Sequence, residues 1–210
     1  MCRLLHTATV LVLVNLAGLH AGGAGPLPVV SRKEAIATAR QFAEHQWTCK
    51  PANRQAACVK NFSVQWKDNQ AVVGVAYDWG GMDTLASFDA KLAQGLAAGS
   101  HKKQGVTACT TGIDCSGLVS LAWGQSQKFG TGNIQSIAVL VSGDIRHDLK
   151  PGDALNKPGS HIVLFDSYNP DGTINVYEAS GSASRVVRTR NHWIAFDGYK
   201  AVRYLGLSDP

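Results

Sequence analysis

The sequence predicts an α+β fold in which a few helices pack on a mostly antiparallel sheet, and three observations carry that reading. Helical periodicity dominates the first two thirds of the chain, the apolar positions shift to strand spacing beyond Pro151-Gly152, and Asn169-Pro170-Asp171-Gly172 marks a tight turn between two β-rich runs. Helices that precede strands, rather than alternate with them, argue for segregated layers. A chain of 210 residues, 45% apolar and 17% charged, can bury one sizeable core.

Taken in order, residues 1–25 read as a processed export signal. Arg3 supplies the positive start, residues 8–17 the apolar centre and Gly18-Leu19-His20-Ala21-Gly22 a small-residue exit, with cleavage placed after Ala21. The centre falls short of the ~20 apolar residues that a spanning helix needs. The mature chain is therefore expected to be secreted or periplasmic, without stable membrane insertion, and Cys2 offers no support for a lipid anchor. Residues 26–70 form an N-terminal helical extension: Ser31-Arg32-Lys33-Glu34 has capping-box spacing, and Ile36, Ala39, Phe42, Ala43 and Trp47 follow on one face. Residues 71–210 are expected to form the main domain, the one that holds the catalytic candidates set out below. In it the run 71–77 leads into Tyr77-Asp78-Trp79-Gly80-Gly81, and Asp83 is placed as the cap of a helix carrying Leu85, Phe88, Leu92 and Leu96, ended by Gly99. A buried helix runs from Cys115 to about Trp123, and Ile134, Ile137 and Leu140-Val141 suggest another short one. Strands are expected over His161–Tyr168, 173–179, 185–189 and 199–204.

Beyond the signal, Cys49, Cys58, Cys109 and Cys115 remain, and an oxidising compartment favours some pairing. Cys49 and Cys58 bracket a polar turn with Pro51, Asn53 and Arg54, so they are the expected bridge. Cys109 is then either a buried small hydrophobe or a resting bridge to Cys115. The formal charge of +5 and pI near 9.0 arise from scattered basic residues, apart from Lys102-Lys103 and the group Arg185, Arg188, Arg190. No nucleic-acid module accompanies them, so no nucleic-acid partner is expected. The cysteines lack zinc spacing and His45, His101, His147, His161 and His192 are dispersed, so neither a metal nor an organic cofactor is implied.

The chemistry concentrates in Gly112-Ile113-Asp114-Cys115-Ser116-Gly117-Leu118-Val119, a thiol between turn residues and an apolar helical run, with His161 opening a later strand. A thiol becomes a strong nucleophile on ionising, which a helix N-terminus and an imidazole both favour. If Tyr168 pairs with Thr173 across the turn, Val163 lies opposite Glu178 and His161 opposite Ser180. Glu178 is then the diagonal neighbour of His161, at roughly 7 Å, where it can orient the ring. A one-residue slip would turn it to the other face.

Together, Asp114-Cys115-Ser116-Gly117-Leu118-Val119, Tyr77-Asp78-Trp79-Gly80-Gly81, Leu149-Lys150-Pro151-Gly152-Asp153 and His161-Ile162-Val163, in this order, resemble the NlpC/P60 cysteine peptidase family over residues 71–204. The resemblance implies a papain-like fold in which Cys115 attacks an amide carbonyl and His161 takes and returns the proton. The third polar residue of the family, often His, Asn or Gln, corresponds to Glu178, with His192 and Asn191 as runners-up. Tyr77 matches a tyrosine whose hydroxyl lies beside the nucleophile, and Asp114 and Ser116 match positions that recognise a peptide amine in some members; as helix caps they would need no ligand. Backbone N–H groups at the start of the Cys115 helix can serve the oxyanion. Two departures stand out: residues 82–111 are long for the family, and a glutamate occupies the third position, where its charge favours imidazolium. The resulting expectation is an exported cysteine amidohydrolase acting on peptides or peptidoglycan fragments. An acyltransferase or deamidase, as in a secreted toxin, and a catalytically silent wall-binding protein are the alternatives.

Overall fold

The computed structural model describes residues 26–59, 62, 66–101 and 108–209. The expected signal with its cleavage site, and Lys102-Lys103, lie outside them. The chain has the α+β architecture read from its sequence. Three helices, α1 (Arg32–Glu44), α2 (Leu85–Ala93) and α3 (Cys115–Ala122), precede most of one sheet. That sheet has six strands, β1 (Ala138–Leu140), β2 (Ala154–Lys157), β3 (His161–Tyr168), β4 (Ile174–Ser180), β5 (Arg185–Asn191) and β6 (Lys200–Tyr204). They lie in the order β5-β4-β3-β2-β6-β1, every pair antiparallel.

α1 begins with the expected capping box: Ser31 Oγ accepts from the Glu34 N–H at 3.2 Å and the Glu34 carboxylate accepts from the Ser31 N–H at 2.8 Å. Its stripe of Ala35, Ile36 and Ala39 packs with Val119 of α3 and with Trp123, which caps that helix, on sheet residues Ile162, Leu164, Tyr177 and Val202. The leading helix thus shares one core with the Cys115 helix. The opposite sheet face buries Leu155, Val163, Phe165 and Val176 beneath Trp193, Phe196 and Tyr199. Alternate residues of β3 feed the two layers, as a strand buried on both sides requires.

A charge lock joins the layers. Asp153 is fully buried, and its carboxylate takes Arg32 Nη1 at 3.0 Å and Arg203 Nη2 at 2.6 Å. Gly152 alongside it receives the indole of Trp123, whose Nε1 donates to the Gly152 carbonyl at 2.8 Å. The Pro151-Gly152-Asp153 segment therefore docks both helices on the sheet.

Several local expectations are corrected. The disulfide joins Cys58 to Cys109, not Cys49 to Cys58, and no bridge reaches Cys115. Residues Gln46–Cys49 form a strand paired with Gln70–Val73, which buries the Cys49 side chain with Trp47, Trp66 and Phe88. Pairing of Ala97–Ala98 with Thr110–Thr111 instead carries Cys109 to the Cys58 loop, where Ala56, Val59 and Ala97 enclose the bridge. Thr84, not Asp83, caps α2, because Asp83 is engaged by Lys91, Thr111 and Gly112; Gly95, with φ +85°, ends the helix four residues before Gly99. Ile134–Ser136 makes only a single 3-10 turn, and Ala138–Leu140 joins the sheet through β6 rather than continuing as helix.

The register at the β3–β4 hairpin decides the site. Tyr168 pairs with Ile174, one residue beyond the expected Thr173, but a bulge between Phe165 and Ser167 takes up the slip, so Leu164 faces Tyr177. Continued outward, this register sets Val163 opposite Glu178, as the sequence suggested. Without the bulge Glu178 would point away from His161.

Candidate active site

Cys115 is the first residue of α3 and is 8% exposed. The turn before it is held by Asp114, whose Oδ1 accepts from the Gly117 N–H at 2.8 Å and Ser116 Oγ at 3.0 Å. Asp114 Oδ2 accepts from the Gly80 N–H at 2.8 Å and is paired with the Lys128 ammonium. Both Asp114 and Ser116 are buried and occupied in capping, so in this state they shape the nucleophile's turn. Close approach explains the motif glycines better than any ligand loop: a Cβ on Gly117 would fall 2.3 Å from the Gly81 carbonyl oxygen. That contact seats α3 against the Tyr77–Gly81 turn. The Leu118 N–H returns to the Asp114 carbonyl, which leaves the N–H groups of Cys115 and Ser116 without an acceptor among the described residues.

His161 opens β3 opposite Lys157 of β2. Its Nε2 lies 3.0 Å from Glu178 Oε2, and Glu178 Oε1 accepts from Thr189 Oγ1 at 2.9 Å. Cys115 lies close enough to the same ring to favour its charged form, and with Nε2 taken by Glu178 the nitrogen left to serve the sulfur is Nδ1. Burial works against a charged imidazole here, but hydrogen bonding and charge from Cys115 and Glu178 outweigh it and raise His161 to about 9. Glu178 shows the complement: burial opposes its ionisation, yet the bonds from His161 and Thr189 hold it below the ordinary carboxylate value. The His161 and Glu178 side chains are 24% and 17% exposed, so the group is sheltered but reachable from solvent.

Two phenols flank this group. Tyr77 is buried, and burial followed by the charges of Cys115, Asp114 and Asp78 pushes its hydroxyl far above the ordinary phenol range. It stays a protonated donor near the sulfur at physiological pH. Tyr199 is raised by burial and then by Glu178 and Cys115, and the Lys157 ammonium lies 5.8 Å from its ring centre.

Of the residues picked out in the sequence, Cys115, His161, Glu178, Tyr77, Asp114 and Ser116 meet in one place. The runners-up do not join them: Asn191 caps the far end of β5 opposite Ile174, and His192 follows it. Sequence reasoning missed Thr189, Lys128, Tyr199 and His101. Thr189 was within reach of a register argument, since Glu178 pairs with Val187 and the same-face diagonal is residue 189. Lys128 and His101 carry no local signal. Among the described residues no group of His, Cys, Asp and Glu side chains is placed to hold a metal ion, and no helix is long and apolar enough to cross a membrane. No protein-family model, no curated protein and no solved structure matches this chain.

Proposed function

We propose that the chain is an exported cysteine amidohydrolase of the NlpC/P60 type, with a papain-like catalytic arrangement, that cleaves peptide-like amide bonds. Peptidoglycan stem peptides are the substrate class that its motifs suggest. The observation that carries the reading is the meeting of Cys115, at a helix N-terminus, with His161, whose second nitrogen is held by Glu178. A nucleophile beside a base that a carboxylate orients is what thiol acyl transfer requires.

In this mechanism the Cys115 sulfur attacks the amide carbonyl carbon while His161 holds the thiol proton. The oxyanion finds the free N–H groups of Cys115 and Ser116 and the Tyr77 hydroxyl. Collapse breaks the C–N bond, His161 protonates the leaving amine, and a thioester remains on Cys115. Water then attacks the thioester, passing a proton to His161, and the carboxylic acid leaves as the thiol is restored. Glu178, anchored by Thr189, keeps the ring in one orientation through both half-reactions. The Cys58–Cys109 bridge fits export to an oxidising compartment.

The test is digestion of purified cell wall with the native protein and with Cys115→Ala, followed by mass spectrometry of released fragments. New peptide termini in stem peptides, made by the native protein alone, are expected. Fragments cut only between sugars, or equal release by both proteins, would overturn the proposal. Acyl transfer to added glycinamide without wall cleavage would replace hydrolysis by transfer.

A further inference from the structure

The long segment between the glycine pair and the nucleophile delivers one polar side chain to the edge of the site. His101, solvent-exposed, lies against Tyr77 with ring centres 5.2 Å apart and planes tilted by 34°. Its Nε2 is 3.2 Å from Ser184 Oγ. Ser184 is itself locked. It is buried at φ +59°, an unusual conformation for a residue with a side chain, its carbonyl accepts from the Tyr77 N–H at 2.8 Å, and its own N–H turns back to Gly181. One strained turn thus positions both Tyr77 and His101.

The free edge of the ring faces Gly181. A methyl built on Gly181 would sit 3.9 Å from His101 Nδ1 and 4.0 Å from Tyr77 Cζ, with nothing else among the described residues, its own chain neighbours aside, within 4 Å. Nδ1 has no partner among the described residues. Among the described residues, a space of about one methyl's width therefore separates Gly181 from Nδ1 and from the phenol near Cys115. When Ser184 Oγ–H donates to Nε2, the ring proton is on Nδ1, and the doubly protonated ring carries one there as well. Partial burial keeps His101 below the ordinary imidazole value, so the resting ring is neutral and an incoming anion meets a donor rather than a fixed counter-charge.

We propose that His101 is a substrate-binding residue whose Nδ1–H, in the gap beside Gly181, holds a carboxylate one residue away from the amide attacked by Cys115. This deepens the hydrolase reading and rests on it. A charged acceptor gains more from such a donor than a neutral carbonyl does, so the site selects substrates carrying a free carboxyl group at that position. A cationic ammonium group would find no acceptor while Nδ1 holds its proton.

Three thiol reagents of one length test the proposal on the full chain: N-bromoacetyl-glycine, N-bromoacetyl-glycinamide and N-bromoacetyl-ethylenediamine, ending in carboxylate, amide and ammonium. Alkylation rates at Cys115 are read by peptide mapping, and the carboxylate-to-amide ratio cancels general changes in thiol reactivity. The native protein is expected to favour the carboxylate reagent over the amide by roughly ten-fold, the gain of one charge-assisted hydrogen bond. His101→Ala should bring the ratio to about one, and Gly181→Ala, which fills the gap and leaves His101 in place, should lower it several-fold. Rapid reaction with the amide reagent but no carboxylate preference, a preference that survives His101→Ala, or a preference for ammonium would each overturn the proposal while sparing the hydrolase reading. Slow reaction of Cys115 with all three reagents would overturn both.

Discussion

Asp78 is a buried acid with a measurable consequence. It lies between Tyr77 and the Gly80 turn, is 1% exposed, and has one oxygen, Oδ1, without a partner among the described residues, while Oδ2 accepts from Thr110 Oγ1 at 3.0 Å. Burial, reinforced by Asp83 and Asp114 and only partly offset by Thr110 and Lys91, pushes its pKa from 3.8 up to about 7. The sign follows from proton binding. Between these values the unfolded chain has released the proton and the folded chain retains it, so stability falls as pH rises, and the loss levels off above about 7. At about 1.4 kcal/mol per pH unit, this interval amounts to roughly 4 kcal/mol. Asp78→Asn removes the titration and keeps an acceptor for Thr110. Urea unfolding of native and variant proteins at several pH values from 4 to 7.5 isolates the effect, because all other titrating groups are common to both. The variant's stability relative to native should rise by up to about 4 kcal/mol across that range. A difference flat to within about 1 kcal/mol, or one that shrinks with rising pH, would refute the reasoning.

Other perturbations probe the site and its frame. Glu178→Gln removes the charge that helps raise His161 to about 9, so the alkaline limb of the hydrolysis profile should move to lower pH, with turnover reduced on the order of 10²-fold; an unchanged limb would remove Glu178 from its orienting role. Cys58→Ser opens a bridge between residues 51 apart in sequence, which loop entropy values at roughly 4 kcal/mol; denaturant titration should show the same loss for the native protein under reductant. Asp153→Ala leaves the guanidinium groups of Arg32 and Arg203 without their shared carboxylate, with an expected cost of about 3–5 kcal/mol in the same assay. Gly117→Ala forces a Cβ to within 2.3 Å of the Gly81 carbonyl, so it should slow Cys115 alkylation by displacing α3, and a normal rate would count against the close packing described.

What was legible in the sequence was whatever depends on near neighbours. The capping box of α1, the strand spacing after Pro151-Gly152, the full extent of β3 and the turn after it all follow from interactions within a few residues. The order of Cys115, His161 and Glu178 was equally plain, since a helix start and one hairpin nearly suffice to place them. The hairpin also shows the boundary of such reasoning: its closure is one residue off, and Glu178 meets His161 only because the bulge near Asp166 restores the phase. Tertiary structure alone chose Cys109 as the partner of Cys58, gave Asp153 two arginines and Asp114 a lysine, and brought His101 to Tyr77. Each of these contacts joins residues distant in sequence, where local preference carries no information and the outcome is set by which surfaces the whole core leaves adjacent.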